Sequence, residues 1–147
     1  MTAHVTMRTG GRRGLQITLG VLSLIPFASG LAGMVFGSRT LPGDTSSVQP
    51  TLDGEYRFVN AFWFAAAPAI WTTLPEIERK TTRLSVLLGT VLLGGVARLW
   101  SWRQVGRPAP VFLGVIALEF LGMPAVLAWQ RHVVKMALRN SSAVVSP

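Results

Sequence analysis

The stretch GLQITLGVLSLIPFASGLAGMVFG, residues 14–37, contains no ionisable side chain. At about 1.5 Å of rise per residue, a helix of this length crosses a hydrocarbon core of about 30 Å. Its apolar residues run on without the alternation that a half-buried soluble element shows. Pro26 falls near the middle, where a kink is tolerated if neighbours satisfy the freed carbonyl. A cleaved leader is the competing reading, with Arg12 and Arg13 as its basic region and Ala28-Ser29-Gly30 as a cleavage site. The run is longer than the roughly 7–15 apolar residues of a leader, so a retained helix is expected. Gly14 directly after the arginine pair also makes a poor twin-arginine signal.

Working outward, three more apolar runs follow. The expected organisation is a basic N-terminus without fold at 1–13, a four-span membrane domain at 14–130 and a basic tail at 131–147. The spans are placed at about 14–37, 56–74, 83–102 and 109–129. The loop from Ser38 to Gly54 holds Pro42, Gly43, Asp44, Pro50 and Asp53, residues that favour turns. Pro75 ends the second run, and Glu76 and Glu78 after it suit the first turn of a new helix. Gly106 and Pro108 mark the loop before the fourth run. The fold class is therefore an all-α integral membrane four-helix bundle.

Composition supports this. Half of the 147 residues are hydrophobic and only 14% are charged, against about 25% charged in soluble domains. The net charge of +8 could signal nucleic acid, but the cations flank apolar runs and form no stripe on one helix, so no nucleic-acid partner is expected. Membrane lipids are the expected partners. The absence of cysteine excludes disulfides, thiolate zinc sites and a thiol nucleophile.

The flanks set an orientation. Arg8, Arg12, Arg13, Arg79, Lys80, Arg83, Arg131, Lys135 and Arg139 fall on one side of such a bundle, and Arg39, Arg57, Arg103 and Arg107 on the other. The richer side is expected in the cytoplasm, with both termini. Trp71 and Trp129 then approach the inner interface, and Trp100 and Trp102 the outer one.

Arg98 and Glu119 interrupt the third and fourth runs. A charge in hydrocarbon costs at least about 3 kcal/mol on insertion scales, so such residues face the bundle and pair, or line a wet cavity. Glu119 is roughly 14 Å deep at 1.5 Å per residue, and Arg98 about one turn inside the outer end of its helix. Helical side chains lean toward their own N-terminus, so on antiparallel helices these two converge. Gly94 and Gly95, one turn below Arg98, leave room. With Glu55, Arg57, Asn60 and Arg107 they make a candidate outward-facing polar cluster. The plainer reading of the pair is a structural ion pair, and of Glu55 and Arg57 an interface anchor and a helix-end charge. Small residues at spacing four, Ser29, Gly33 and Gly37 in the first helix and Ala61, Ala65 and Ala69 in the second, are expected to pack helices closely.

His4 and His132 have no ligand partners at metal spacing, so no metal or other cofactor is expected. No nucleophile constellation or phosphate loop is evident, which argues against an enzyme. The sequon Asn140-Ser141-Ser142 lies on the expected cytoplasmic side and is read as chance.

Taken in order, Glu55-Tyr56-Arg57-Phe58, Gly94-Gly95-Val96-Ala97-Arg98, Val105-Gly106-Arg107-Pro108 and Glu119 resemble the pattern of the DUF4345 family over roughly Gly14 to Trp129. The resemblance implies a small bacterial four-helix membrane protein, supplies no catalytic residues, and suggests that the outward polar cluster is what the family shares. The residues then favour a non-enzymatic accessory subunit or small-molecule or lipid-binding bundle in the bacterial cytoplasmic membrane. A small transporter or proton-coupled carrier using Glu119 and Arg98 is the alternative, and a membrane enzyme the second. A larger membrane protein or a second copy of the chain is a candidate partner.

Overall fold

The computed structural model describes residues 2–43 and 47–145, with side chains over 11–43 and 47–139. Helix α1 (Thr2–Leu22) leads into α2 (Leu24–Phe36) with a break only at Ser23. Pro26 explains the break, because it has no N–H to give the carbonyl four residues back. Ser23 ties the break to the neighbouring rod: its Oγ donates to the Gly20 carbonyl at 2.7 Å and accepts from Trp71 Nε1 at 2.6 Å. A short 3-10 turn (Gly37–Thr40) ends this first rod. Helix α3 (Pro50–Trp71) opens on Pro50, where a missing N–H costs nothing. Helix α4 (Thr81–Val105) stops at Gly106, whose φ of 117° favours glycine. Helix α5 (Pro110–Ala117) passes through a π turn (Leu118–Gly122) into α6 (Met123–Val145). Pro124 cannot donate to the Phe120 carbonyl, and the wider turn ahead of it absorbs that loss.

The described residues are all-helical, without a strand, and form four rods: α1–α2, α3, α4 and α5–α6. They run alternately up and down, so the chain's two ends share one end of the bundle. There Arg12 pairs with Glu78 at 2.7 Å and donates to the Pro75 carbonyl at 2.8 Å. Gln16 donates to the Leu74 carbonyl and Gln130 to that of Ile77. At the opposite end, a Cβ on Gly43 would touch Ala109. The core of Leu15, Leu19, Ile70, Ile77, Leu84, Leu88, Met123, Val126 and Val133 is weighted toward the end with the termini. The outside is apolar on every rod: Ile17 (66% exposed), Phe62 (64%), Leu93 (67%) and Leu121 (73%) face outward. A soluble monomer does not expose so much large apolar surface.

Three segments are long and apolar enough to cross a membrane: Gly11–Thr40, Thr81–Val105 and Pro110–Arg139. Helix α3 is not among them, because Asp53, Glu55, Arg57 and Asn60 occupy its first half. The helices also reach further than their apolar runs. The first begins at Thr2 where no fold was expected, α3 starts at Pro50 inside the expected loop, and α6 continues to Val145 through the expected tail. Hydropathy marks only what hydrocarbon can hold, whereas a helix continues into the polar interface as long as nothing breaks it.

The close approach of α2 and α3 uses Gly33 and Gly37 of the expected row on α2, with Gly30 in place of Ser29, and a different face of α3 from the one expected. A Cβ on Gly30 would lie 2.5 Å from the Phe64 backbone nitrogen. One on Gly33 would collide with the Asn60 side chain, and one on Gly37 with Asp53. Ser29 sits beside this row, donating to the Ile25 carbonyl and accepting from Trp63 Nε1. On α3 the matching face is Asp53, Asn60, Phe64 and buried Ala67, while Ala65 is exposed.

Candidate functional site

Of the two charges embedded in apolar helices, Glu119 is on the π turn and Arg98 two turns before the end of α4. Arg98 Nε lies 3.3 Å from Glu119 Oε1. The partners differ in surroundings: the Glu119 side chain is 4% exposed and that of Arg98 40%. The Arg98 guanidinium carbon also sits 5.7 Å from the centre of the Phe112 ring, within range of a cation–π contact.

Gly95 makes this arrangement possible. A Cβ there would lie 3.0 Å from both Glu119 Cβ and Oε2, and 3.3 Å from the Phe120 ring. Gly94 has no such duty, since nothing lies within 4 Å of its would-be Cβ. The second carboxylate oxygen, Oε2, is buried with no hydrogen-bond partner among the described residues. Burying a carboxylate oxygen without a partner is costly, and a native structure that does so invites a functional account. Chemically the site offers one unmet acceptor inside and a half-exposed guanidinium, whose Nη donors have room, outside.

The other expected cluster members lie elsewhere. Arg57 closes the end of the α2–α3 hairpin: its Nε donates to Asp53 Oδ2 at 2.7 Å and its Nη1 to the carbonyls of Met34 and Val35. A cation on the last carbonyls of α2 also suits the helix dipole. Asp53 Oδ1 in turn accepts from the Ser38 N–H and Oγ, anchoring the 3-10 turn. The Arg57 side chain and the Ser38 N–H hold the Asp53 carboxyl at about 2, below its ordinary 3.8. Asn60 is buried against Gly33 and donates to the Tyr56 carbonyl at 2.8 Å. Glu55 and Arg107 are exposed.

No described residue of α3 comes within 8 Å (Cα to Cα) of α5 or the π turn. Six residues read as one cluster are thus a clamp and packing residue on α3, a half-buried pair between α4 and the π turn, and two exposed charges. Sequence reasoning missed the part of Asp53, counted only as a loop residue. Its position four residues before Arg57 was the available signal, the favourable spacing for a helical ion pair. Among the described residues no cluster could hold a metal ion; His132 is exposed, and the side chain of His4 lies outside the described residues.

A bundle of apolar-surfaced helices with a half-buried ion pair defines a helical protein of membrane type. More particularly, the model of a family described as a domain of unknown function, DUF4345, matches residues 14–130, and the chain belongs to that family. No curated protein and no solved structure matches the chain.

Proposed function

We propose that this is a non-enzymatic, four-span protein of the bacterial cytoplasmic membrane that binds a small or lipidic ligand at the Arg98–Glu119 pair, alone or as an accessory to a larger membrane protein. Both termini face the cytoplasm in this reading, from the excess of cations at their end, and the pair lies in the outer half. The observation that carries it is Glu119 Oε2, buried beside Arg98 yet without a partner among the described residues. The complementary ligand has a hydrogen-bond donor for that oxygen and an anionic group for the outer face of Arg98. The Phe112 ring, 5.7 Å from the Arg98 guanidinium carbon, lines the pair with apolar surface, so the remainder of the ligand is apolar.

The test is native mass spectrometry of the protein extracted in mild detergent. Wild type should carry a bound species that Glu119→Gln and Arg98→Met both lose while keeping their helical circular dichroism. The same species retained on both variants would rule the site out.

A proton-coupled carrier is the second reading, favoured by the same oxygen, which a proton would satisfy as well as a ligand donor. Proteoliposomes with a trapped pH dye separate the two, because only the carrier reading has Glu119→Gln abolishing a proton flux.

A further inference from the structure

A second polar site lies at the other end of the bundle, where α4 begins and α6 leaves the core. Thr81 and Ser85 on α4 face Arg131 and Lys135 on α6 across a cleft of about 310 Å³. Both pairs are spaced i,i+4, so each makes one row along its helix. Val134 supplies an apolar wall, and Gln130, 2% exposed, closes the floor with its amide tied to the Ile77 carbonyl. The carboxylates at this end are committed, Glu76 to Lys80 at 3.1 Å and Glu78 to Arg12 at 2.7 Å. Neither Arg131 nor Lys135 forms an ion pair with a described residue, and both are exposed. Helix α4 starts without a side-chain cap, which leaves first-turn N–H groups at the same end.

We propose that this cleft seats the phosphodiester headgroup of an anionic phospholipid. Two cations and two hydroxyls match a phosphate's charge and its acceptor oxygens. The depth fits as well: Trp129, 36% exposed and two residues before Arg131 on α6, is a residue type that settles at headgroup level. Val86, 62% exposed, begins the apolar surface of α4 immediately beyond Ser85, where acyl chains would lie. The cleft belongs to the end richer in cations, the end that faces an anionic leaflet under the positive-inside rule. This inference is independent of the ligand at Arg98 and Glu119, which sit at the opposite half of the same helices.

The experiment offers the full-length protein in neutral detergent an equimolar mixture of phosphatidylglycerol and phosphatidylcholine, and reads bound lipid by native mass spectrometry. Wild type should retain phosphatidylglycerol preferentially. The double variant Arg131→Gln/Lys135→Gln should lose that preference, by about fivefold for each cation removed. Arg103→Gln/Arg107→Gln removes the same charge at the other end and should leave the preference intact. Both cations are exposed, so folding should survive; if the double variant unfolds, the single variants carry the comparison. Millimolar inorganic phosphate should not displace the lipid, and displacement would show a site for free anions instead. No preference in wild type, or an equal loss in both double variants, would overturn the proposal.

Discussion

At the level of single residues, Gly95 and Gly94 are neighbours with opposite duties. A side chain at Gly95 has to displace Glu119, whereas one at Gly94 meets open space. Gly95→Val should therefore lower stability by about 1–3 kcal/mol, the usual range for overpacking. Gly94→Val should be near neutral, and thermal unfolding in one detergent compares them. The pair itself should show coupling. Glu119→Gln leaves the Arg98 charge uncompensated and Arg98→Met leaves the Glu119 carboxylate stranded, each at a cost of about 1–3 kcal/mol. The lower part of that range suits Arg98, whose half-exposed side chain is already partly solvated. The double change should recover part of the loss, and losses that simply add would show that the two residues are independent. The meeting of these residues was legible in the sequence, since antiparallel helices and the lean of helical side chains bring them together. The unmet Oε2 was not, because no pattern of apolar residues tells which oxygen of a buried carboxylate finds a partner.

Within an element, the hairpin of α2 and α3 depends on its closed end. Asp53 is held down at about 2 in the folded protein against an ordinary 3.8. A carboxyl with a depressed folded value contributes stability above its unfolded value, and that contribution is lost as pH falls through the folded one. The clamp should thus be intact above about pH 4 and fail between there and about pH 2. Hydrogen exchange at the Ser38 amide, bonded to Asp53 at 2.7 Å, reads this directly. Wild type should lose protection across that window, and Asp53→Asn should be less protected throughout with a flatter acid dependence. An unchanged profile in the variant would show that Asp53 does not hold the turn. Two rows of small residues, one on each helix, could be read from the sequence. The row on α2 was largely right, since Gly33 and Gly37 meet α3, but the face of α3 that turns inward could not be read, because it depends on rotation about the helix axis. Here the rotation is set by Asn60 fitting against Gly33 and Asp53 against Gly37, contacts of polar groups that a search for small residues passes over.

For the whole molecule the open question is the number of crossings, and it turns on α3. Three rods meet the requirement of length and apolarity, and α3 does not. Three crossings alone would leave the two ends of the chain on opposite faces. The structure instead holds both at one end of the bundle, where Arg12 bonds to the α3–α4 connection and Gln130 does the same from α6. If the two ends of the bundle occupy opposite faces of the membrane, as proposed, that arrangement needs an even number, and α3 is the rod that would complete it. Its 22 residues span about 33 Å at 1.5 Å each. Phe58, Val59 and Phe62 are all at least 60% exposed, an outward apolar face that suits lipid and not water. Asp53 and Arg57 depress its hydropathy but neutralise each other near its first turns, so this part of the charge that disqualifies α3 in the sequence is cheaper to hold in the structure. The chain has no cysteine, so single cysteines at exposed Ser47, Thr82 and His132 can be labelled one at a time with an impermeant reagent. In intact spheroplasts Ser47→Cys should react at once, and Thr82→Cys and His132→Cys only after the membrane is opened. Thr82→Cys reacting together with Ser47→Cys would mean that α3 lies on the outer surface without crossing, and that the bundle's two ends do not occupy opposite faces of the membrane. His132→Cys reacting from outside while Ser47→Cys stays protected would invert the orientation, and with it the leaflet facing Arg131 and Lys135.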